Sequence, residues 1–229
     1  MQIELPSLQR YIGWSHRPSR SDASAARNFE LRPLSAADTA EAKLLVFEGF
    51  SGDPVLEWCF DRAEAGYAKR LRAYIELLHR SHTAQGHPVH GAYVGDLLLG
   101  LVYVTVPEPP HPGNAEQLES KLKVTCGDQC AARYARYRRV VAQAIPHGKL
   151  YRLGFLSVRA AQQARGIGTL LLSWACNLLD ADESAAGIVV DTNAKANLGY
   201  FQPRGFRELA QVAVSTELLE TVLFRPRVS

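Results

Sequence analysis

The stretch Leu156-Ser157-Val158-Arg159-Ala160-Ala161-Gln162-Gln163-Ala164-Arg165-Gly166-Ile167-Gly168-Thr169-Leu170-Leu171-Leu172 carries a strand into a turn and then opens a helix. The helix buries one face, with apolar residues at Leu171, Leu172, Trp174, Ala175 and Leu178. The first N–H groups of a helix lack intrahelical acceptors and lie at the positive end of its dipole, so Arg165-Gly166-Ile167-Gly168 suits a phosphate. Glycines at 166 and 168 let that phosphate come close to the backbone. A dinucleotide fingerprint would need a third glycine where Leu171 stands, and a P-loop would need Gly-Lys-Ser/Thr; neither is present.

Working outward, LYRLGFLSV (150–158) reads as the strand before this turn. Ala164 to Leu179 is the helix, GIVVDT (187–192) a buried strand, Ala194 to Phe201 a short helix, and Phe206 to Phe224 two further strands. Upstream, FELRPL from Phe29 is a short strand. Ser35 with Asp38, then Ala40, Leu44, Leu45 and Phe47, is a capped amphipathic helix. A break follows at Gly49 and Ser51-Gly52-Asp53-Pro54. Ala63 to His82 carries Tyr67, Leu71, Tyr74, Ile75 and Leu78 at helical spacing. VHGAYV and LLLGLVYVTV, split by Gly95-Asp96, form a hairpin. Pro107 to Gly113 is a proline loop, and Glu116 to Ile145 is one or two helices broken near Gly127-Asp128. This order implies one α/β domain over 29–229 with a mixed sheet and a central crossover between parallel strands, preceded by an N-terminal extension over 1–28.

With 26 Lys and Arg against 23 Asp and Glu in 229 residues, the formal charge of +3 gives no field for a nucleic acid. The 47% hydrophobic content suits an ordinary packed core. No apolar run is long enough to span a membrane, and Met1–Arg20 lacks the basic and apolar regions of a signal peptide. Four scattered cysteines argue for a reducing compartment, so the expected location is the cytoplasm.

Gln163-x-x-Gly166-x-Gly168 after the strand FLSV resembles the Gln/Arg-x-x-Gly-x-Gly/Ala signature of the GNAT superfamily of acetyl-CoA-dependent N-acetyltransferases. VVDTNAKANLGYFQPRGF resembles that family's later segment, with its Asn-bearing turn, short helix with Tyr, and Gly-Phe. The resemblance implies a GNAT-like mixed α/β sheet, splayed between the strand ending near Val158 and the strand Ile188 to Val190, and flanked by helices. It implies acetyl-CoA as co-substrate, with its pyrophosphate on the amides of Arg165, Gly166, Ile167, Gly168 and Thr169 beside Gln163 and Ala164. The pantetheine would pair with backbone groups of Leu156, Ser157 and Val158. Asn197, or alternatively Asn193, would stand near the CoA arm. The implied reaction moves an acetyl group to a primary amine by direct attack in a ternary complex. A catalytically silent acyl-CoA-binding regulatory module is the alternative.

Two positions depart from the family pattern. Ala160 replaces a common Pro. Counted from Asn193 and Ala196, Tyr200 takes the thiol-protonating place, whereas counted back from Gly205-Phe206 it is Phe201. Tyr200 is the expected catalytic residue because Asn193, Ala196 and Tyr200 keep the spacing that the resemblance implies, with Pro203 absorbing one extra residue before Gly205; Phe201, which has no proton to donate, would then pack into the core. Because consecutive residues differ by about 100° around a helix axis, only one of the two is expected to face the cleft. The strand Leu150 to Val158 has no carboxylate to act as general base.

Asp53-Pro54-Val55-Leu56-Glu57-Trp58 reads either as the acceptor wall or as a hydrophobic plug. In the first case Phe50, Asp53, Glu57 and Trp58 bind the amine, with Asp53 or Glu57 pairing its ammonium. A small-molecule amine is favoured over a basic protein tail, with no nucleic-acid or membrane partner expected and a homodimer left open. His79, His82, His87 and His90 read as helix-end and hairpin residues rather than metal ligands, with His87 or His90 available as a base beside the cleft. RYARYRR (133–139) reads as a solvated amphipathic helix, and Cys126 with Cys130 as packing.

Overall fold

The computed structural model describes residues 29–107 and 114–228. The extension expected over 1–28, the proline loop beyond Pro107 (residues 108–113) and residue 229 lie outside the described residues. The elements are β1 (Glu30–Pro33), α1 (Thr39–Phe50), α2 (Pro54–Cys59), α3 (Tyr67–Ala84), β2 (Val89–Val94), β3 (Leu97–Thr105), α4 (Asn114–Cys126), α5 (Asp128–Ala144), β4 (Leu150–Val158), α6 (Ile167–Asp180), β5 (Gly187–Thr192), α7 (Lys195–Phe201), β6 (Arg207–Ala213) and β7 (Leu219–Pro226). Their order and type follow the sequence reading closely, including the hairpin and the helix break at Gly127.

Three local differences have backbone causes. The helix expected from Ala63 starts at Tyr67, because Gly66 is left-handed at φ 86°. The helix expected from Ala164 starts at Ile167, because Ala164 and Gly166 have φ of 61° and 84°, which no helix tolerates. The segment read as a loop after Asp53 contains α2. Asp53 caps it by accepting from Leu56 N at 2.9 Å, and Pro54 opens its first turn. At α1, Asp38 accepts from Ser35 N at 3.0 Å, which is one half of the capping arrangement the sequence suggested.

The seven strands form one sheet in the order β1-β2-β3-β4-β5-β7-β6. One face carries α1 to α5 over a core that includes Leu45, Phe60, Leu71, Tyr74, Tyr103 and Tyr134. The other carries α6 and α7 over Val102, Leu153, Leu171, Ile188 and Phe206. Gly100 lets α6 lie flat on β3, since a Cβ there would stand 2.9 Å from Ile167 Cγ2 and 3.0 Å from Ser157 O.

The sheet opens in its middle. β4 and β5 are parallel and pair only at Leu150↔Gly187, Tyr151↔Ile188 and Arg152↔Val189, after which β4 runs on to Val158 without β5 beside it. At the same place β4 bulges against β3. Val102 faces Leu156 and Val104 faces Leu153, so Gly154 and Phe155 together oppose Tyr103. The extra residue reverses the side-chain alternation: Tyr151 and Leu153 point into the α6 core, whereas Phe155 joins the α1–α5 core. Ser157 falls on the same side as Phe155 and donates to Leu45 O at 2.9 Å.

Candidate active site

Arg159 N donates to Leu99 O at 2.8 Å, which fixes the alternation of β4: Arg159 and Ser157 bond towards β3, so the backbone groups of Leu156 and Val158 face the gap. Gln163 Nε2 takes Val158 O at 3.3 Å. At one end of the gap lies the start of α6, where Gly166 stands at the N-cap with no side-chain cap. The first amides of α6 therefore have no acceptor within the helix. A Cβ on Gly166 would meet nothing within 4 Å, and one on Gly168 would lie 3.5 Å from the Tyr200 hydroxyl and 3.8 Å from Val158 Cγ2. A cradle of open amides beside a free strand edge is the donor set that a pyrophosphate and its amide-bearing arm require, so the residues present fit an acyl-CoA.

A cavity of about 800 Å3 runs from this cradle through the gap to the α1–α5 side. Leu156, Ser157, Val158, Gln163, Ala164, Ile167, Gly168, Asn193 and Asn197 all line it. Arg165, Gly166 and Thr169 stand outside its wall, and Thr169 Oγ1 accepts from Arg204 Nη2 at 3.0 Å. Asn197 donates to Thr192 Oγ1 at 2.8 Å, while its own buried Oδ1 has no protein partner.

Tyr200 and Phe201 both line the cavity, which corrects the expectation that only one could. Their rings meet edge-on at 5.1 Å, and Phe201 packs on Phe206 at 5.2 Å while keeping an edge on the cavity. The Tyr200 hydroxyl is turned to the start of α6, beside Gly168 and Thr169, and burial pushes its pKa up to about 12.

On the α1–α5 side, Phe50 and Asp53 line the cavity as expected. Glu57 and Trp58 do not: Glu57 points away to Arg62 at 3.2 Å, and Trp58 lies under the Arg133 guanidinium at 5.8 Å. Both sit on α2 positions turned from the gap, which a loop reading could not foresee. The second carboxylate anticipated at Glu57 comes instead from elements far along the chain. Asp191 of β5 and Glu220 of β7 line the cavity with Asp53. Asn193 Nδ2 donates to Asp53 at 2.9 Å and its side chain also bonds Glu220. Asp191 accepts from Arg152 Nη2 at 2.7 Å and from the Tyr137 hydroxyl.

Burial, opposed by bonds from Leu56 N and Asn193, holds the Asp53 carboxyl above its ordinary value. Burial and the neighbouring charges of Asp191 and Asp53 push Glu220 up to about 10. The sequence missed Arg152, Tyr137, Asp191 and Glu220; the one available signal was a charged residue set inside each of the apolar strands LYRLGFLSV, GIVVDT and LETVLFRP.

Beyond the carboxylates the cavity passes Tyr74, Tyr134 and Phe155 and reaches His82 and His87. These histidines are buried rather than on the surface, and burial lowers His82 to about 4. His79 bonds the Tyr103 hydroxyl at 2.7 Å and His90 stacks on Trp174 at 3.8 Å. Among the described residues, no group of three or more His, Cys, Asp or Glu side chains is arranged to hold a metal ion, and no helix is long and apolar enough to cross a membrane. The helix carrying RYARYRR is not simply solvated: Arg133 bonds Asp61 at 3.0 Å, Arg136 bonds Val214 O at 2.7 Å, and its tyrosines wall the cavity.

No sequence-family model matches this chain, and no curated protein matches it in sequence. Solved structures do match in fold. Histone acetyltransferase HPA2 and related acetyltransferase from Corynebacterium glutamicum superposes with a TM-score of 0.67 at 17% identity, over 88% of this chain and 97% of that one. Arylalkylamine N-acetyltransferase 2 from Aedes aegypti gives 0.62 at 11% identity, over 87% and 99%. The NatC complex bound to Gag peptide and CoA gives 0.50 at 15% identity, over 87% and 99%. The splayed sheet is thus the GNAT acetyltransferase fold.

Proposed function

We propose that this protein transfers an acetyl group from acetyl-CoA to a primary amine held in the cavity, with Asp53 as the general base. The observation that carries this reading is the meeting, in one cavity, of an open amide cradle with a desolvated carboxylate. The fold neighbours are named for a histone, an arylalkylamine and a peptide complex, so the acceptor has to be read from this chain's own cavity. Acetyl-CoA supplies an activated thioester. Gly166 to Thr169 bind its pyrophosphate, Leu156 and Val158 pair its arm, and an amide on the free edge of β4 polarises the carbonyl under attack. Asp53, fixed by Leu56 N and Asn193, accepts one proton of the incoming ammonium; the freed amine attacks the thioester carbon, the C–S bond breaks as the C–N bond forms, and the second nitrogen proton passes to the released sulfur, so CoA leaves as the thiol.

Tyr200 donates a hydrogen bond to the departing sulfur. A phenol near 12 is a weak acid towards a thiolate of ordinary pKa about 8.5, so its contribution is that of a hydrogen bond rather than of full proton transfer. Tyr200→Phe is accordingly expected to lower kcat about tenfold, the value of one such bond, with acetyl-CoA affinity unchanged. A loss of affinity at constant kcat would instead place the hydroxyl on the phosphates.

The test of the whole reading is calorimetry with acetyl-CoA followed by thiol release across a panel of small amines and a basic peptide. Binding with turnover of small amines is expected. Tight binding with no turnover of any amine or peptide would favour a silent acyl-CoA-binding regulator, and turnover of the peptide alone would overturn the small-molecule acceptor.

A further inference from the structure

Glu220 is the feature that acetyl transfer by itself does not use. It is 3% exposed, it lines the cavity, and its Oε2 has no hydrogen-bond partner among the described residues. A buried, unbonded carboxyl oxygen is costly, and a native structure keeps one where a ligand completes it. The groups around it are Asp53 ahead of α2, Arg152 on β4, Asp191 on β5, Asn193 after β5, and Tyr137 on α5. Arg138 reaches the cavity from α5 and is itself exposed. Arg152 and Tyr137 are both committed to Asp191. Two carboxyl groups, Asp53 and Glu220, are therefore left facing the cavity without a cation.

We propose that the acceptor is a short aliphatic diamine, one nitrogen bound at Asp53 for transfer and the other anchored by Glu220. This rests on the amine-acetylation reading above. A single ammonium at Asp53 would leave the Glu220 Oε2 without a partner, whereas a second amino group completes it and, as an ammonium, takes the place of the carboxyl proton. Asp53 and Glu220 both adjoin the Asn193 side chain, so the separation of the two carboxyl groups is that of neighbours around a single amide. That separation suits roughly three to five carbons between the nitrogens, with the carbons against Phe50 and Phe155, whose rings meet at 4.7 Å. Without ligand, Glu220 holds a proton at neutral pH, so binding the second ammonium should expel it.

The experiment is calorimetry of the full chain with diaminobutane and with butylamine, each in two buffers of different ionisation heat so that released protons are counted, followed by turnover with acetyl-CoA. Diaminobutane is expected to bind at least about tenfold more tightly than butylamine, with proton release that butylamine lacks. In Glu220→Gln, a near-isosteric change at a group that is neutral in the empty site, the ratio should fall to within about threefold and the release should vanish. Glu220→Asp should keep the release and shift the preference to diaminopentane. Equal binding of the two amines by the wild type, or an unaltered ratio in folded Glu220→Gln, overturns the diamine site. Preferential binding of diaminobutane without acetylation would uphold that site while sinking the transfer reading. Acetylation of both amines at equal efficiency would do the reverse.

Discussion

Gly168→Glu is expected to abolish acetyl-CoA binding in a protein that still folds. Gly168 opens α6, and the space beside it is wide enough for a Cβ, at 3.5 Å from the Tyr200 hydroxyl and 3.8 Å from Val158 Cγ2. The backbone therefore has no reason to move, unlike at Gly166, where φ of 84° itself demands glycine. What changes is the cradle. A carboxylate enters the place where helix amides and dipole attract phosphate, replacing attraction by like-charge repulsion at close range. Affinity should fall at least about a hundredfold, with an unchanged circular dichroism spectrum, while Gly168→Ala should lose far less. Wild-type affinity in a folded Gly168→Glu protein would mean that the pyrophosphate lies elsewhere and would remove the ground for assigning acetyl-CoA.

Asp53→Asn carries the second large effect. Asparagine caps α2 as well as aspartate does and can keep the bond to Leu56 N, so the fold and the cavity should persist. The lost element is the base. A fall in kcat of about 10²- to 10⁴-fold is expected, with acetyl-CoA affinity intact. The pH profile gives the sharper readout. The base works only when ionised, so the wild-type rate should rise with pH through the Asp53 pKa, and burial places that rise above the ordinary 3.8. In Asp53→Asn this acidic limb should be absent. A mutant with a small loss and the same limb would transfer the role to another group, with Glu220 the first to examine.

Much of the fold was legible in the sequence because its signals are local. The hairpin announces itself by alternation around Gly95-Asp96, and α6 by two glycines before an apolar face. The elements to which the CoA reading attaches were legible for the same reason, since Leu156 to Gly168 is one continuous strand-turn-helix. The acceptor side was not. Asp53, Asn193 and Glu220 meet only after β5, β7 and α2 have been brought together by tertiary packing, and the Asp53–Asn193 bond spans 140 residues. The bulge at Gly154 and Phe155 was equally hidden: it turns Phe155 and Ser157 to the acceptor side against simple alternation, and a lone glycine in a strand does not say which way its neighbours will face. Glu57 and Trp58 were misplaced because a six-residue helix, unlike a loop, points half of its side chains outwards.

β7 follows β6 in the chain yet lies between β5 and β6. β6 and β7 pair with each other as an antiparallel hairpin, and the sheet is completed when β7 docks along β5, from Gly187↔Pro226 to Thr192↔Thr221. Such a late, non-local pairing is slow to nucleate, because the loop must close before any ladder bond forms. Glu220 arrives on that strand. The start of α6 is thus built from one continuous stretch of chain, whereas the cavity wall that carries Glu220 exists only through a non-local pairing, so the two ends of the cavity rest on contacts of very different range.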